Sequence, residues 1–172
     1  MLKKILFVFI TLIALIVGAA LMQPTEYTVV RSAELPGQPL KYFEIVNDFQ
    51  KWKLWSPWAS LDSNMKVEIS TPSSGVDATY FWSGNKDVGE GRMKILASEN
   101  PKIIQMGLDF IKPFEATCIT TFRFEEQNGN TLVTWTMAGT NNFLAKIFGL
   151  FMNMDKMIGK DFEKGLSTLG TL

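Results

Sequence analysis

The first 22 residues constrain this chain more than any other stretch. Met-Leu-Lys-Lys is followed by 18 uncharged residues, Ile5 to Met22, of which only Thr11 is clearly polar. A surface helix of a soluble domain carries charge on one side, and this run has none to place there. As a helix it is roughly 27 Å long, close to the hydrocarbon thickness of a bilayer. The segment predicts a transmembrane anchor, residues 1–23, ahead of one globular domain, residues 24–172. Lys3 and Lys4 precede the run, and no Lys or Arg follows it until Arg31. The positive-inside rule then keeps the N-terminus in the cytoplasm and exports the domain to the periplasmic or extracellular side, as a single-pass protein. A cleaved secretory signal is the alternative, with Gly18-Ala19-Ala20 as small residues for a peptidase. Against it, the apolar run exceeds the usual signal core of about 7–15 residues. A buried N-terminal helix is the third reading.

The 150 residues from Gln23 onward suffice for one packed domain. All 17 acidic residues lie there, against 15 of the 17 Lys and Arg, so acidic side chains slightly outnumber basic ones in the domain. A chain without basic excess is not built to neutralise phosphates, so nucleic acid is not an expected partner. The single cysteine, Cys118, allows no internal disulfide. With no histidine in the chain, His-ligated zinc sites, Ser-His-Asp triads and Cys-His dyads are excluded. No metal or cofactor is expected.

Residues 26–35 read as a strand and Pro36-Gly37-Gln38-Pro39 as a turn. Leu40 to Asn47 predicts a short helix with Tyr42, Phe43 and Val46 on one side. A second short helical piece carries Trp52 and Trp55 and stops before Ser56-Pro57. Strands divided by turn clusters then run to about residue 140. Along them apolar residues alternate with polar ones: Val67 and Ile69; Met93 and Ile95; Ile104, Met106, Leu108 and Phe110; Val133, Trp135 and Met137. Each strand so has one apolar face, as in an antiparallel sheet covered on a single side. From Phe143, the series Ile147, Phe151, Met154, Ile158, Phe162, Gly165, Leu169 keeps one stripe of a helix apolar, and predicts one long C-terminal helix as the cover. The sum is an α+β domain, a curved sheet of about seven strands wrapped around that helix.

This element order resembles the helix-grip fold. Local words carry the likeness further: Val46-Asn47-Asp48-Phe49 with Trp52, Trp55-Ser56-Pro57-Trp58, Tyr80 to Asn85 followed by Val88-Gly89-Glu90-Gly91, and Met154-Asp155-Lys156-Met157 through Leu166. In these the chain resembles the polyketide cyclase/dehydrase-like members of the START-related (SRPBCC) superfamily, over roughly residues 26–169. The resemblance implies a cavity between sheet and helix for a hydrophobic small molecule or lipid, in a family where only some members catalyse a reaction. The implied lining is Tyr80, Trp82, Met93, Met106, Leu108, Phe122, Trp135, Phe151, Met154 and Ile158, unless these side chains fill the space themselves as core. Nine methionines favour an adaptable wall.

Asp155 falls inside the apolar stripe of the helical wheel. A carboxylate there needs donors or a raised pKa, so it is read either as a polar anchor or proton carrier at the pocket wall or as a satisfied structural group. Gly89 and Gly91 flank Glu90 within a strand pattern, which predicts a bulge or close backbone approach, with Glu90 a solvated edge carboxylate. Trp52, Trp55 and Trp58 are read as packing of the short helices onto the sheet rim, with a pocket entrance or a membrane interface as alternatives. Cys118 reads as an inert buried thiol. Three functions remain open: a membrane-tethered binding module for an apolar ligand, an enzyme using Asp155 and Tyr80 for acid/base chemistry, and a membrane-anchored protein-interaction domain.

Overall fold

The computed structural model describes all 172 residues. Helix α1, Leu2–Leu21, is followed by strand β1, Glu26–Pro36, helix α2, Pro39–Val46, and a 3-10 helix, Phe49–Leu54. Six strands come next: β2 Lys66–Ile69, β3 Thr79–Ser83, β4 Glu90–Glu99, β5 Ile103–Lys112, β6 Ala116–Gln127 and β7 Asn130–Thr140. Helices α3, Phe143–Gly149, and α4, Met154–Leu169, close the chain. The seven strands form one antiparallel sheet in the order β1-β7-β6-β5-β4-β3-β2. This is the helix-grip fold.

The alternation sets the inner face. Met93 and Ile95, Ile104, Met106 and Leu108, and Val133, Trp135 and Met137 are all buried, while Arg92, Lys94 and Arg123 point outward. Val67 departs from the pattern, since β2 is a four-residue edge strand that leaves it exposed.

The cover differs from a single long helix. The chain leaves the helix at Leu150 and restarts at Asn153, whose side chain accepts the backbone N–H of Lys156 at 2.9 Å. Asn142 caps α3 in the same way through the N–H of Ala145. Such caps satisfy amides that have no intrahelical partner and fix where a helix begins. Only α4 grips the sheet: Phe162 stacks on Trp135 with ring centroids 3.9 Å apart, and Leu166 and Leu169 are buried beside it. The predicted stripe holds from Ile158 onward. Phe143, Phe151 and Met154 are exposed.

The inner face is therefore covered in separate places. Helix α4 packs along β1, while α2 reaches β5 and β6 through Tyr42, Phe43 and Val46. The 3-10 segment brings in Phe49 and Trp52, and Trp55 follows directly behind it. Over β3, β4 and the C-terminal half of β5 the inner face is met not by α2 or α4 but by the 3-10 helix and the loop after it.

Candidate functional site

A cavity of about 250 Å³ lies between those strands and the 3-10 helix with its following loop. Eleven of its seventeen lining residues are hydrophobic, so its walls offer little to a polar solute. Strands supply one wall: Tyr80 and Trp82 from β3, Met93 from β4, Leu108 and Phe110 from β5, and Met137 from β7. Trp52, Trp58, Ala59 and Met65 supply the other, from the 3-10 helix and the loop after it. The rim is polar. It carries Lys86 and Asp87 in the β3–β4 turn, and Lys112 at the end of β5.

The sequence explains the shape of the β3–β4 wall. Gly91 pairs with Trp82 across the ladder, and a Cβ at 91 would meet the indole ring. Without it the indole lies flat over the strand, donates Nε1–H to the Val88 carbonyl at 3.0 Å, and meets Phe110 edge-on. Gly89 has φ +65° and sits against the Lys112 carbonyl, closer than any side chain allows. A register shift between Glu90 and Gly91 follows, as the paired glycines imply. Glu90 is not a solvated edge group: its side chain is 19 % exposed and accepts from Lys112 Nζ at 2.9 Å and Ser83 Oγ at 3.2 Å. The Lys112 ammonium holds its carboxyl below the usual range. This pair fastens the turn to the end of β5 at the cavity mouth.

Tyr80 is the phenol in the wall. Burial raises its pKa, with no hydrogen bond contributing to the shift, so it stays protonated and able to donate or accept. Its ring leans on Phe49, Trp52 and Trp82.

Of the eleven residues proposed from the sequence, Tyr80, Trp82, Met93 and Leu108 line this cavity. Met106, Phe122 and Trp135 face the same side but are sealed within the aromatic core, where Trp135 Nε1 donates to Thr120 Oγ1 at 2.8 Å. Ile158 is half-buried against that core. Phe151 and Met154 border a separate surface groove shared with Gln23 and Tyr27, because the helix break turns them away from the sheet.

Asp155 requires a correction. It lies at the start of α4, its side chain is 54 % exposed, and both carboxylate oxygens accept from Arg31, each at 3.1 Å. Arg31 Nη2 also donates to the Asp155 carbonyl, and Nε donates to Glu163 at 2.7 Å. The guanidinium pushes the Asp155 pKa down, opposite to the rise expected of a carboxylate in a greasy wall. Asp155 thus joins α4 to β1 from outside. Cys118 fits the inert reading, since burial pushes its thiol up to about 11.

Trp52 and Trp58 line the cavity, as the pocket-entrance alternative for them allowed, and Ala59, Met65, Phe110 and Met137 were not among the lining expected from the sequence. Phe110 and Met137 were legible as inward-facing by alternation. The loop residues carry no periodic pattern, and only the tertiary packing brings them over β3.

Solved structures share the fold at low sequence identity. Protein CV1439 from Chromobacterium violaceum matches with a TM-score of 0.61 at 11% identity, over 84% of this chain and 94% of that one. Protein Ms6760 from Mycobacterium smegmatis matches with a TM-score of 0.58 at 17% identity, over 84% and 88%. The Aha1 protein of Colwellia psychrerythraea, solved as a dimer, matches with a TM-score of 0.52 at 14% identity, over 80% and 87%. No protein-family model and no curated protein matches the chain.

Proposed function

We propose that the chain is a membrane-tethered binding module that holds an apolar small molecule or a single lipid chain in the cavity between β3–β5 and the loop after the 3-10 helix. The observation that carries this reading is the cavity: largely hydrophobic walls, one protonated phenol within, and a rim bearing Lys86 and Lys112. Apolar walls with few placed polar groups are what small-molecule sites are made of. An amphiphile fits the arrangement, its tail against Trp82, Met93 and Leu108 and an acidic or polar head near the rim lysines. Helix α1 serves as the tether, with residues 1–23 retained, the N-terminus in the cytoplasm and the domain exported. Its length of 20 residues and its long uncharged apolar run support this use. The sequence words around Trp55-Ser56-Pro57-Trp58 and Tyr80 to Gly91 place it, on our reading, with the polyketide cyclase/dehydrase-like group of the SRPBCC superfamily.

The binding reading is favoured over an acid/base enzyme because Asp155 and Tyr80 do not face one space. It is favoured over a plain interaction domain because the interior is not fully packed.

The test is a titration of the full chain in lipid nanodiscs with n-alkyl carboxylates of increasing length, read by the fluorescence of the three lining tryptophans. Burial of each methylene contributes about 0.8 kcal/mol, so affinity should rise about four-fold per CH₂ until the cavity is full. Ala59→Trp, which fills the space from a half-buried wall position, should abolish the response. Equal weak responses from both proteins at every length would refute the site.

A further inference from the structure

The side chains around α3 are apolar and uncovered. Phe143, Leu144 and Phe148 are 45, 54 and 44 % exposed, Phe151 is 73 % exposed, and Phe114 from the β5–β6 turn is 58 % exposed. Phe114 and Phe148 touch, with ring centroids 5.6 Å apart, so the turn and the helix form one patch. Large aromatics in a contiguous exposed patch mark a surface that meets something apolar.

The patch is fixed relative to the membrane helix. Four residues separate α1 from β1, at most roughly 14 Å of chain. Within that linker the Thr25 carbonyl accepts the Asn141 N–H at 2.7 Å, Thr25 Oγ1 accepts Lys146 Nζ at 2.9 Å, and the Pro24 carbonyl accepts Asn141 Nδ2 at 3.2 Å. Helices α1 and α3 also lie against each other, and still the aromatics of α3 stay exposed.

Strand register places the cavity mouth at the same end. Glu26 pairs with Thr140, Cys118 with Gly139, Phe110 with Ala116, and Glu90 with Lys112. The start of β1, the end of β5 and the start of β4 thus share one end of the sheet. Lys112 and Pro113 line the cavity, and the next residue is Phe114. The Glu99–Lys102 and Gln127–Asn130 turns lie at the opposite end.

We propose that α3 and the Phe114 turn form a foot that lies in the headgroup–acyl boundary beside α1, seating the cavity mouth on the bilayer so that its ligand is taken from the lipid phase. The occupant of the patch is the lipid surface, because the patch is tied to the point where α1 leaves the membrane. Short apolar elements of this kind sit about 5–10 Å into the interface. The inference rests on α1 being the tether.

The experiment uses the full chain in vesicles of phosphatidylcholine with a minor anionic component. An environment-sensitive fluorophore is attached in turn to Phe148→Cys, Phe151→Cys and Lys102→Cys. Cys118 is buried, and the unsubstituted chain is the labelling blank. Labels at 148 and 151 should show blue-shifted emission and strong quenching by lipids spin-labelled near the headgroup, and the label at 102 should show neither. Labels at 148 and 151 as wet and unquenched as at 102 would overturn the foot. Pyrene excimers at 151 without lipid quenching would overturn it in favour of a second copy of the chain. Alkaline carbonate extraction separates the two levels: release of the chain refutes the tether itself, whereas retention with unquenched labels refutes the foot alone. The carboxylate titration reads the cavity independently of both.

Discussion

Arg31 is the residue through which β1 and α4 are joined. Its guanidinium makes a two-pronged pair with Asp155 and a third bond to Glu163, all on the outer side of the core. The Arg side chain is 23 % exposed and Asp155 is 54 % exposed, so solvent screens much of the attraction. The pair's pH dependence still has a definite sign. An Asp titrates near 3.9 when unfolded, and Arg31 holds Asp155 lower in the folded state. Its stabilisation is thus complete above the unfolded value and is lost as pH falls through the lowered folded one. Urea midpoints of the chain and of Asp155→Asn should differ by a constant amount near neutrality and converge in strong acid. A gap that stays open or widens below that range would contradict the pairing. The position of Asp155 was not legible from a helical wheel, because the wheel shows which residues share a face and not where the helix starts. At the first turn of α4 that face has already passed the edge of the sheet.

At the scale of elements, the grip of α4 depends on two glycines, Gly165 within the apolar stripe and Gly159 outside its series. Gly159 lies against the Arg31 guanidinium, and Gly165 lies against Trp135 and Pro57. Alanine is ordinarily the better helix former by about 1 kcal/mol. A Cβ at 159 would meet the far end of the Arg31 side chain, which can move, whereas a Cβ at 165 would meet the buried Trp135 ring at 2.9 Å and the Pro57 ring at 3.1 Å. Gly165→Ala should therefore lower the thermal midpoint despite its propensity gain, and a raised midpoint would show that α4 does not rest on Trp135 this way. Strands were the most legible elements, since alternation of two depends only on which face meets the core. The C-terminal helices were less so: the apolar spacing runs unbroken from Phe143 to Leu169, yet Asn153 caps a new helix in its middle. Asn142 and Asn153, both N-cap residue types ahead of helical runs, were the signals that mark the two starts. Tyr80, Trp82, Met93 and Leu108 were found as cavity residues because alternation picks the inner face. Met106 and Phe122 lie on that face too, and differ only in lying under α2 and the tryptophans.

For the whole molecule, three features meet at one end of the sheet: the exit of α1, the aromatic patch of α3, and the mouth of the cavity. On the proposed reading, a binding domain so arranged would draw its ligand from, or return it to, the membrane that α1 crosses. All of this turns on the cavity holding a discrete apolar ligand, and identifying what the full chain carries is the shortest route to that point. The chain and its Ala59→Trp variant would be purified side by side in the same detergent, and their bound small molecules extracted and resolved by mass spectrometry. A ligand-holding cavity predicts one compound or chain-length class enriched with the unsubstituted chain and lost from the variant, over a common background of membrane lipid. Identical extracts from both proteins would contradict it.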